Sequence, residues 1–285
     1  MTLTPTAELI ARVVAEGTAL PSFNVIGLEH AEAIAAGATA ANSPALLQIS
    51  ENAIAFRGSP EPLLAACREI ARSGSTPLGI HLDHIENEEL VEDILDRAGE
   101  FGVGSVMFDA SKRDYADNVA ATRRVVERAH ALGVWVEAEL GQIGGKDGAH
   151  APGVRTDPSE AARFVEQTGV DGLAVAVGSS HAMRSRSAEL DIDLIRQLAA
   201  AVPVPLVLHG SSGVSDPVIA TAVAAGIRKV NVGTALNIAA TGVLRGSLNE
   251  HPDAVDPRIY TRDARAAMME LVRAFCGLVT EPGPA

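Results

Sequence analysis

Short apolar runs alternate along this chain with alanine-rich stretches of helical periodicity. Eight runs have the length of a buried strand: SFNV (22–25), ALLQIS (45–50), LGIHLD (78–83), SVMFDA (105–110), VWVEAEL (134–140), GLAVAVG (172–178), PLVLHG (205–210) and IRKVNVG (227–233). Stretches such as 29–41, 87–100, 114–132, 157–169 and 193–202 lie between them and have helical patterns, and Asp157 precedes Pro158 as a helix cap. Repeated strand–helix units predict a parallel sheet covered by helices.

Eight such units without a polar linker predict one domain over residues 1–285, an α/β (β/α)8 TIM barrel. An extra amphipathic helix is predicted at the N-terminus, and another helix follows the eighth unit in the segment DPRIYTRDARAAMMELVRAFCGLV. A doubly wound open sheet is the alternative. It requires a GxGxxG turn after the first strand, and FNVIGLEH lacks one.

The composition restricts the partners that the chain can have. A net charge of −13 argues against nucleic acid, because phosphate backbones need clustered Lys and Arg. The N-terminal segment carries Glu8, Arg12 and Glu16 among its apolar residues, unlike a signal peptide, and no apolar run reaches the length of a membrane span. Cys67 and Cys276 form no CxxC pair. These features predict a cytoplasmic protein with no membrane partner.

Polar residues cluster at the carboxyl ends of all eight predicted strands. In a (β/α)8 barrel these ends form one rim, where the chemistry occurs. The rim candidates are Asn24, Gln48, Ser50, His81, Asp83, His84, Asp109, Glu137, Glu139, His181, His209, Asn231 and Thr234. Three of the histidines, on separate strands, suit a divalent transition metal with an open coordination position, namely His84, His181 and His209. His81 is expected to face the barrel interior, and His30, His130 and His251 are expected at the surface.

Small residues after strands 7 and 8 predict an anion site. HGSSGV (209–214) and KVNVGT (229–234) allow backbone N–H groups to surround a phosphate, which is a recurrent site of this barrel. The glycine-rich segment 141–156, which includes His150, is a candidate lid over the rim. A metal beside a phosphate site suggests a phosphorylated small molecule as the substrate.

A set of short motifs runs along nearly the whole chain: HLDH, SVMFDAS, VEAELG followed by GG, VGSSH, PLVLHGSSGV, KVN and DPR. In these motifs the sequence resembles the class II, metal-dependent fructose-bisphosphate and other ketose-bisphosphate aldolases. The resemblance implies that Asp83 is the acid/base at the cleaved bond. It also implies Zn²⁺ or another divalent metal on the three histidines, with Asp109 and Glu139 at a second metal position, and it allows a monovalent cation. The implied partners are a small-molecule sugar phosphate and further copies of the chain, in a homodimer or homotetramer.

The same resemblance implies a substrate-binding set at the rim: Asn24, Ser50, Ala182, Gly210, Ser211, Ser212, Asn231, Val232, Gly233, Thr234 and, for the distal phosphate, Arg258. Three positions depart from the family pattern. Ala182 stands where glycine is usual, Asp147 replaces the usual lid glutamate as the second catalytic residue, and Gly233 stands where fructose-bisphosphate enzymes have an acidic residue. Tagatose-type enzymes have a small residue at this last position.

The implied activity is cleavage of fructose 1,6-bisphosphate, or another ketose 1,6-bisphosphate, to dihydroxyacetone phosphate and glyceraldehyde 3-phosphate or a related aldehyde. A metal can stabilise the charge that develops on the ketone fragment, and a lysine Schiff base is the other route. Of three lysines only Lys229 lies on a strand, near its start, so the metal route is favoured. The alternatives are a tagatose-bisphosphate or other sugar-phosphate aldolase, a barrel metal hydrolase, and a non-catalytic sugar-phosphate sensor.

Overall fold

In the computed structural model of the protein, which describes residues 2–140, 155–179 and 186–280, eight parallel strands close into a barrel in the order of the chain. The final pairing joins β1 to β8, with Ser22 opposite Asn231. The predicted (β/α)8 barrel is confirmed. The strands are β1 Leu20–Asn24, β2 Ala45–Ser50, β3 Leu78–Ile85, β4 Val103–Phe108, β5 Trp135–Glu139, β6 Gly172–Ala174, β7 Leu206–Leu208 and β8 Ile227–Val232.

Helices surround the barrel. They are α1 Thr6–Glu16, α2 Leu28–Ala40, α3 Glu51–Arg57, α4 Glu61–Ser73, α5 Glu88–Asp96, α6 Ala98–Phe101, α7 Tyr115–His130, α8 Pro158–Thr168, α9 Ile192–Ala201, α10 Asp216–Ala225, α11 Thr234–Glu250 and α12 Pro257–Thr280, with a 3₁₀ turn at Ser211–Gly213. Side-chain caps fix several helix starts, because the first N–H groups have no partner within the helix. The predicted cap at Asp157 is confirmed, since its carboxylate accepts from the N–H groups of Ser159 and Glu160.

The extra terminal helices are both present. The apolar face of α1 closes the N-terminal end of the barrel, where Leu9, Ile10 and Val13 pack in one cluster with Leu20, Leu46 and Trp135. At the other end of the chain, α12 packs against α2 and α11. Gly37 permits the first of these contacts, because a Cβ there would lie 2.6 Å from the carbonyl oxygen of Met269.

Strands β6 and β7 are shorter than the sequence patterns predict. Beyond Ala174 the chain leaves the ladder, and the N–H of Ala176 donates to the hydroxyl of Thr156 at 2.8 Å. Residues 175–177 stay buried, which explains why their apolar pattern resembles a strand. Among the helices in the described part of the chain, none combines the length and the apolar character needed to cross a membrane.

Candidate active site

The carboxyl ends of β3, β4, β5 and β7 bring together a compact group of metal-ligating side chains. Ligand atoms of Asp83, His84 and His209 lie within 4.8 Å of one another, and the same holds for His84, Asp109 and Glu139. His84 joins the two groups, because its Nε2 lies 2.9 Å from Nδ1 of His209 and its Nδ1 lies 2.9 Å from Oδ2 of Asp109. The described members of the predicted metal set therefore converge.

An irregularity in β3 places the consecutive residues Asp83 and His84 in the lining of the same cavity. Successive side chains of a regular strand point to opposite faces, yet Asp83 and His84 both line the cavity. The register with β4 shifts between Leu82 and Ile85, and His84 has a φ of 49°, in the left-handed region. A non-glycine residue held there is strained, and such strain is concentrated at functional sites.

The charges around His84 favour a cation at this position. Burial disfavours the imidazolium, but Asp83, Asp109 and Glu139 outweigh burial and raise the pKa of His84 to about 10. Asp109 is mostly buried, yet the hydrogen bonds with His84 and Ser111 hold its pKa well below the usual range. Burial raises the pKa of Asp83. A group of nitrogen and carboxylate donors with surplus negative charge has the chemistry of a divalent transition-metal site.

Beneath this group, the barrel interior contains a connected set of polar side chains. Glu137 accepts from Nε2 of His209 at 2.8 Å and from Nζ of Lys229 at 2.8 Å. Lys229 also donates to Oδ1 of Asn231, whose Nδ2 donates to Oδ1 of Asp83 at 3.1 Å. Lys229 was predicted near the start of its strand, away from the rim, and its backbone is there. Its side chain extends along the barrel interior to Glu137 and Asn231. Sequence analysis did not predict these contacts.

The loops after β7 and β8 form the side of the cavity predicted to bind phosphate. Gly210 adopts a φ of 67°, which permits the tight turn into Ser211–Gly213. Ser212 accepts from the N–H of Ala235 in the first turn of α11, so the two loops are joined. Gly233 precedes α11, a helix of 17 residues whose amino end lies at the cavity. Free N–H groups and the helix dipole make such an end favourable for an anion.

Another part of the cavity lining, from β1 and β2, consists of amide and hydroxyl side chains. Asn24 accepts from Nε2 of Gln48 at 2.7 Å, and Ser50 caps α3. The cavity has a volume of about 650 Å³ and its mouth includes Glu51, Glu86 and Lys112. These polar groups suit the hydroxyl groups of a sugar.

Most of the described residues predicted to bind substrate line this cavity: Asn24, Ser50, Gly210, Ser211, Ser212, Asn231, Gly233 and Thr234. Val232 differs, because its side chain is buried in the main hydrophobic core and does not line this cavity. Arg258 lies away from the cavity; it is 90% exposed and pairs with Asp256. Asp147, His150, His181 and Ala182 lie outside the described residues. His30 was predicted at the surface and is instead half-buried against Asn237.

Fold and site together define a (β/α)8 barrel with a group of potential metal ligands beside the loop pair that was predicted to bind an anion. Residues 4–283 match the family model "Fructose-bisphosphate aldolase class-II", and the chain belongs to that family. The resemblance predicted from the sequence motifs is thereby confirmed.

Two solved structures are similar to this chain. The YdjI aldolase from Escherichia coli K12 is 31% identical, with 99% of this chain and 98% of that chain covered and a TM-score of 0.84. The fructose-bisphosphate aldolase from Campylobacter jejuni is 21% identical, with coverages of 96% and 93% and a TM-score of 0.80, and supports the fold alone.

Proposed function

We propose that the protein reversibly cleaves a ketose phosphorylated at C1 into dihydroxyacetone phosphate and an aldehyde. Fructose 1,6-bisphosphate, which would yield glyceraldehyde 3-phosphate, is the first candidate substrate. One observation carries the proposal: a single cavity holds the ligand group of His84, His209, Asp109 and Glu139, with the Gly210–Ser212 and Gly233–Thr234 loops beside it. A phosphate on those loops would place the neighbouring carbonyl carbon near the ligands.

The donors present fit a divalent metal such as Zn²⁺. His84 and His209 would hold it together with the predicted His181, and Asp109 and Glu139 supply the second ligand group that shares His84. A metal bound here would supply Lewis-acid stabilisation of the negative charge that develops on the ketone fragment. Lys229 does not offer the alternative Schiff-base route, because its ammonium group is fully buried in the barrel and paired with Glu137.

Asp83 is the group we assign to proton transfer at the C4 hydroxyl oxygen. Its carboxylate is buried, lies at the ligand group and accepts a hydrogen bond from Asn231. Burial raises the pKa of this carboxyl group above its usual range, which favours the uptake of a proton. In the cleavage direction it would remove the hydroxyl proton, and in the synthesis direction it would return it.

A second candidate substrate is the C4 epimer, tagatose 1,6-bisphosphate. The observation that favours it is the packing at Gly233, where a Cβ would lie 3.0 Å from Nδ2 of Asn24. An acidic side chain, as fructose-bisphosphate enzymes have at this position, would require Asn24 to move. At this position the sugar would therefore meet the Asn24 amide instead of the acidic side chain that fructose-bisphosphate enzymes have.

A panel of ketose phosphates tests these assignments, with released dihydroxyacetone phosphate measured in a coupled assay with added Zn²⁺. We expect cleavage of at least one ketose 1-phosphate or bisphosphate, and the ratio of kcat/KM values for the fructose and tagatose compounds assigns the C4 configuration. Binding of these compounds without any cleavage would instead identify a sensor, and activity only on ester or amide bonds would identify a hydrolase.

A further inference from the structure

Lys229 is the most unusual residue of the barrel interior. The inside of such a barrel is typically filled by bulky branched side chains, yet Lys229 is fully buried there. Its three ammonium protons have three acceptors: Oε2 of Glu137 at 2.8 Å, Oδ1 of Asn231 at 2.7 Å and Nε2 of His81 at 3.3 Å. The position of this cation is therefore fully specified by its neighbours.

Glu137 passes this constraint to a predicted metal ligand. Its Oε2 accepts from Lys229, and its Oε1 lies 2.8 Å from Nε2 of His209. A carboxylate in this pairing can only accept, so Nε2 of His209 must carry the proton. The other ring nitrogen, Nδ1, then keeps its lone pair and faces His84 at 2.9 Å, within the ligand group.

Lys229 also determines how the Asn231 amide is oriented. Because an ammonium group can only donate, the side of the amide at 2.7 Å from Nζ must be the oxygen. The NH₂ side therefore points to Oδ1 of Asp83 at 3.1 Å. One buried cation thus orients two side chains of the candidate site, His209 through Glu137 and Asn231 directly.

We propose that Lys229 and Glu137 are positioning residues that fix the His209 tautomer for metal binding and the Asn231 amide toward Asp83. The inference rests on the metal-dependent function proposed above. Stability alone is a weak reason for the pair, since apolar side chains of similar volume usually replace a buried ion pair at little cost. Partners that orient a ligand histidine from behind typically contribute ~10- to 100-fold to metal affinity or activity.

The decisive variant is Glu137→Gln. Lys229 can only donate, so it would hold the oxygen of the new amide and turn the NH₂ group toward His209. Nε2 would then have to accept, which would move the ring proton to Nδ1, where the metal has to bind. We expect the apoprotein to bind Zn²⁺ ~10- to 100-fold more weakly, as measured by competition with a chelating dye.

The double variant Glu137→Gln/Lys229→Met separates this effect from simple disruption. Without the ammonium group, the glutamine oxygen can turn back to His209 and accept from Nε2–H. Zn²⁺ affinity should therefore rise above that of the single variant, although a second side chain has been changed. Leu64→Ala, in the apolar layer outside the barrel, is the control for lost stability and should bind Zn²⁺ like the unmodified protein.

The unmodified protein gives a test that does not depend on folding of any variant. Nitrogen NMR of ¹⁵N-histidine-labelled protein should show His209 protonated at Nε2, both without metal and with Zn²⁺. A His209 protonated at Nδ1 in the apoprotein, or Zn²⁺ affinity unchanged in Glu137→Gln, would overturn the inference. So would a double variant that binds no better than Glu137→Gln. None of these readouts uses turnover, so they leave the proposed aldolase activity to be judged separately by the ketose panel.

Discussion

Two regions of this barrel are equally buried and differ in chemistry. Between the strands and the helices the buried side chains are aliphatic or aromatic, as at Ile34, Leu64 and Phe164. Inside the barrel, beneath the site, they include Lys229 and Glu137. Burial of charge without partners is unfavourable, so the interior is stable only because its groups hydrogen-bond one another. We call the apolar side chains between strands and helices the outer layer. The hydrogen-bonded polar side chains inside the barrel, which include His81, Glu137 and Lys229, are the inner group. We expect the outer layer to stabilise the fold and the inner group to orient the side chains of the site.

The inner group extends to the N-terminal end of the barrel. Ser105 lies 2.8 Å from Nδ1 of His81 and 2.7 Å from the hydroxyl of Thr6, the first residue of α1. Burial, and then the ammonium of Lys229, hold the pKa of His81 well below its usual range, so His81 stays neutral. A neutral ring can accept at Nε2 from Lys229 while it donates at Nδ1 to Ser105. The polar groups thus form one continuous path from the end closed by α1 to the predicted metal ligands.

Loss of a predicted metal ligand should give the largest effect. His209→Ala removes a predicted ligand nitrogen and the partner of Glu137 together. We expect loss of bound metal and a fall in cleavage beyond the ~100-fold that outer partners contribute, with metal content determined by elemental analysis. Exhaustive chelation of the unmodified protein should have the same effect. Activity that survives chelation, or a borohydride-trapped adduct with substrate, would contradict the metal route.

Asp83→Asn should give the next largest effect. The change keeps the shape of the side chain and removes its ability to take up a proton. We expect kcat for C–C cleavage to fall by about 10²- to 10⁴-fold, the usual contribution of a general acid/base. Metal content should remain near that of the unmodified protein. If metal is lost in parallel with activity, Asp83 acts mainly as a ligand in the group that it forms with His84 and His209.

A change in the outer layer should lower stability and leave activity and metal content unchanged. Leu64 is fully buried on α4, and Leu64→Ala should lower the free energy of unfolding by about 2–5 kcal/mol. The kcat of the folded fraction and its metal content should not change. Urea denaturation combined with the cleavage assay measures both quantities. A large fall in kcat for fully folded protein would mean that the two regions are coupled more tightly than their separate chemistry indicates.

The outer layer was the more predictable region. Alternating apolar runs and helical periodicity report burial directly, and they located all eight strands and both terminal helices. The polar residues at the strand ends then predicted the position of the site, because the carboxyl ends of parallel strands lie at the same end of the barrel. The bounds of β6 were too long because an apolar run such as 175–177 is buried whether or not it pairs with a neighbouring strand.

The inner group was less predictable, because its partners are distant in sequence. Lys229 and Glu137 are 92 positions apart, and no local pattern links them. A lysine within an apolar strand was the available signal, since such a residue must have a buried acceptor. The backbone distortion that turns His84 into the cavity likewise depends on pairing with β4 and leaves no pattern in the HLDH motif.

The smallest effect is expected outside both regions, at Arg258, which lies in the first turn of α12 and does not line the cavity. Its guanidinium is 90% exposed and paired with Asp256, so it can hold a distal phosphate only if a neighbouring subunit brings it to another copy's cavity. Arg258→Ala should then raise KM for a ketose bisphosphate, equivalent to about 1.5–3 kcal/mol, and leave KM for the ketose 1-phosphate unchanged. Arg262→Ala, an exposed arginine one turn along the same helix, is the matched control. Light scattering should show a homodimer or homotetramer for both variants. A monomeric protein, or equal losses on both substrates, would exclude the anchor role, and the natural substrate would then need only the phosphate held by the β7 and β8 loops.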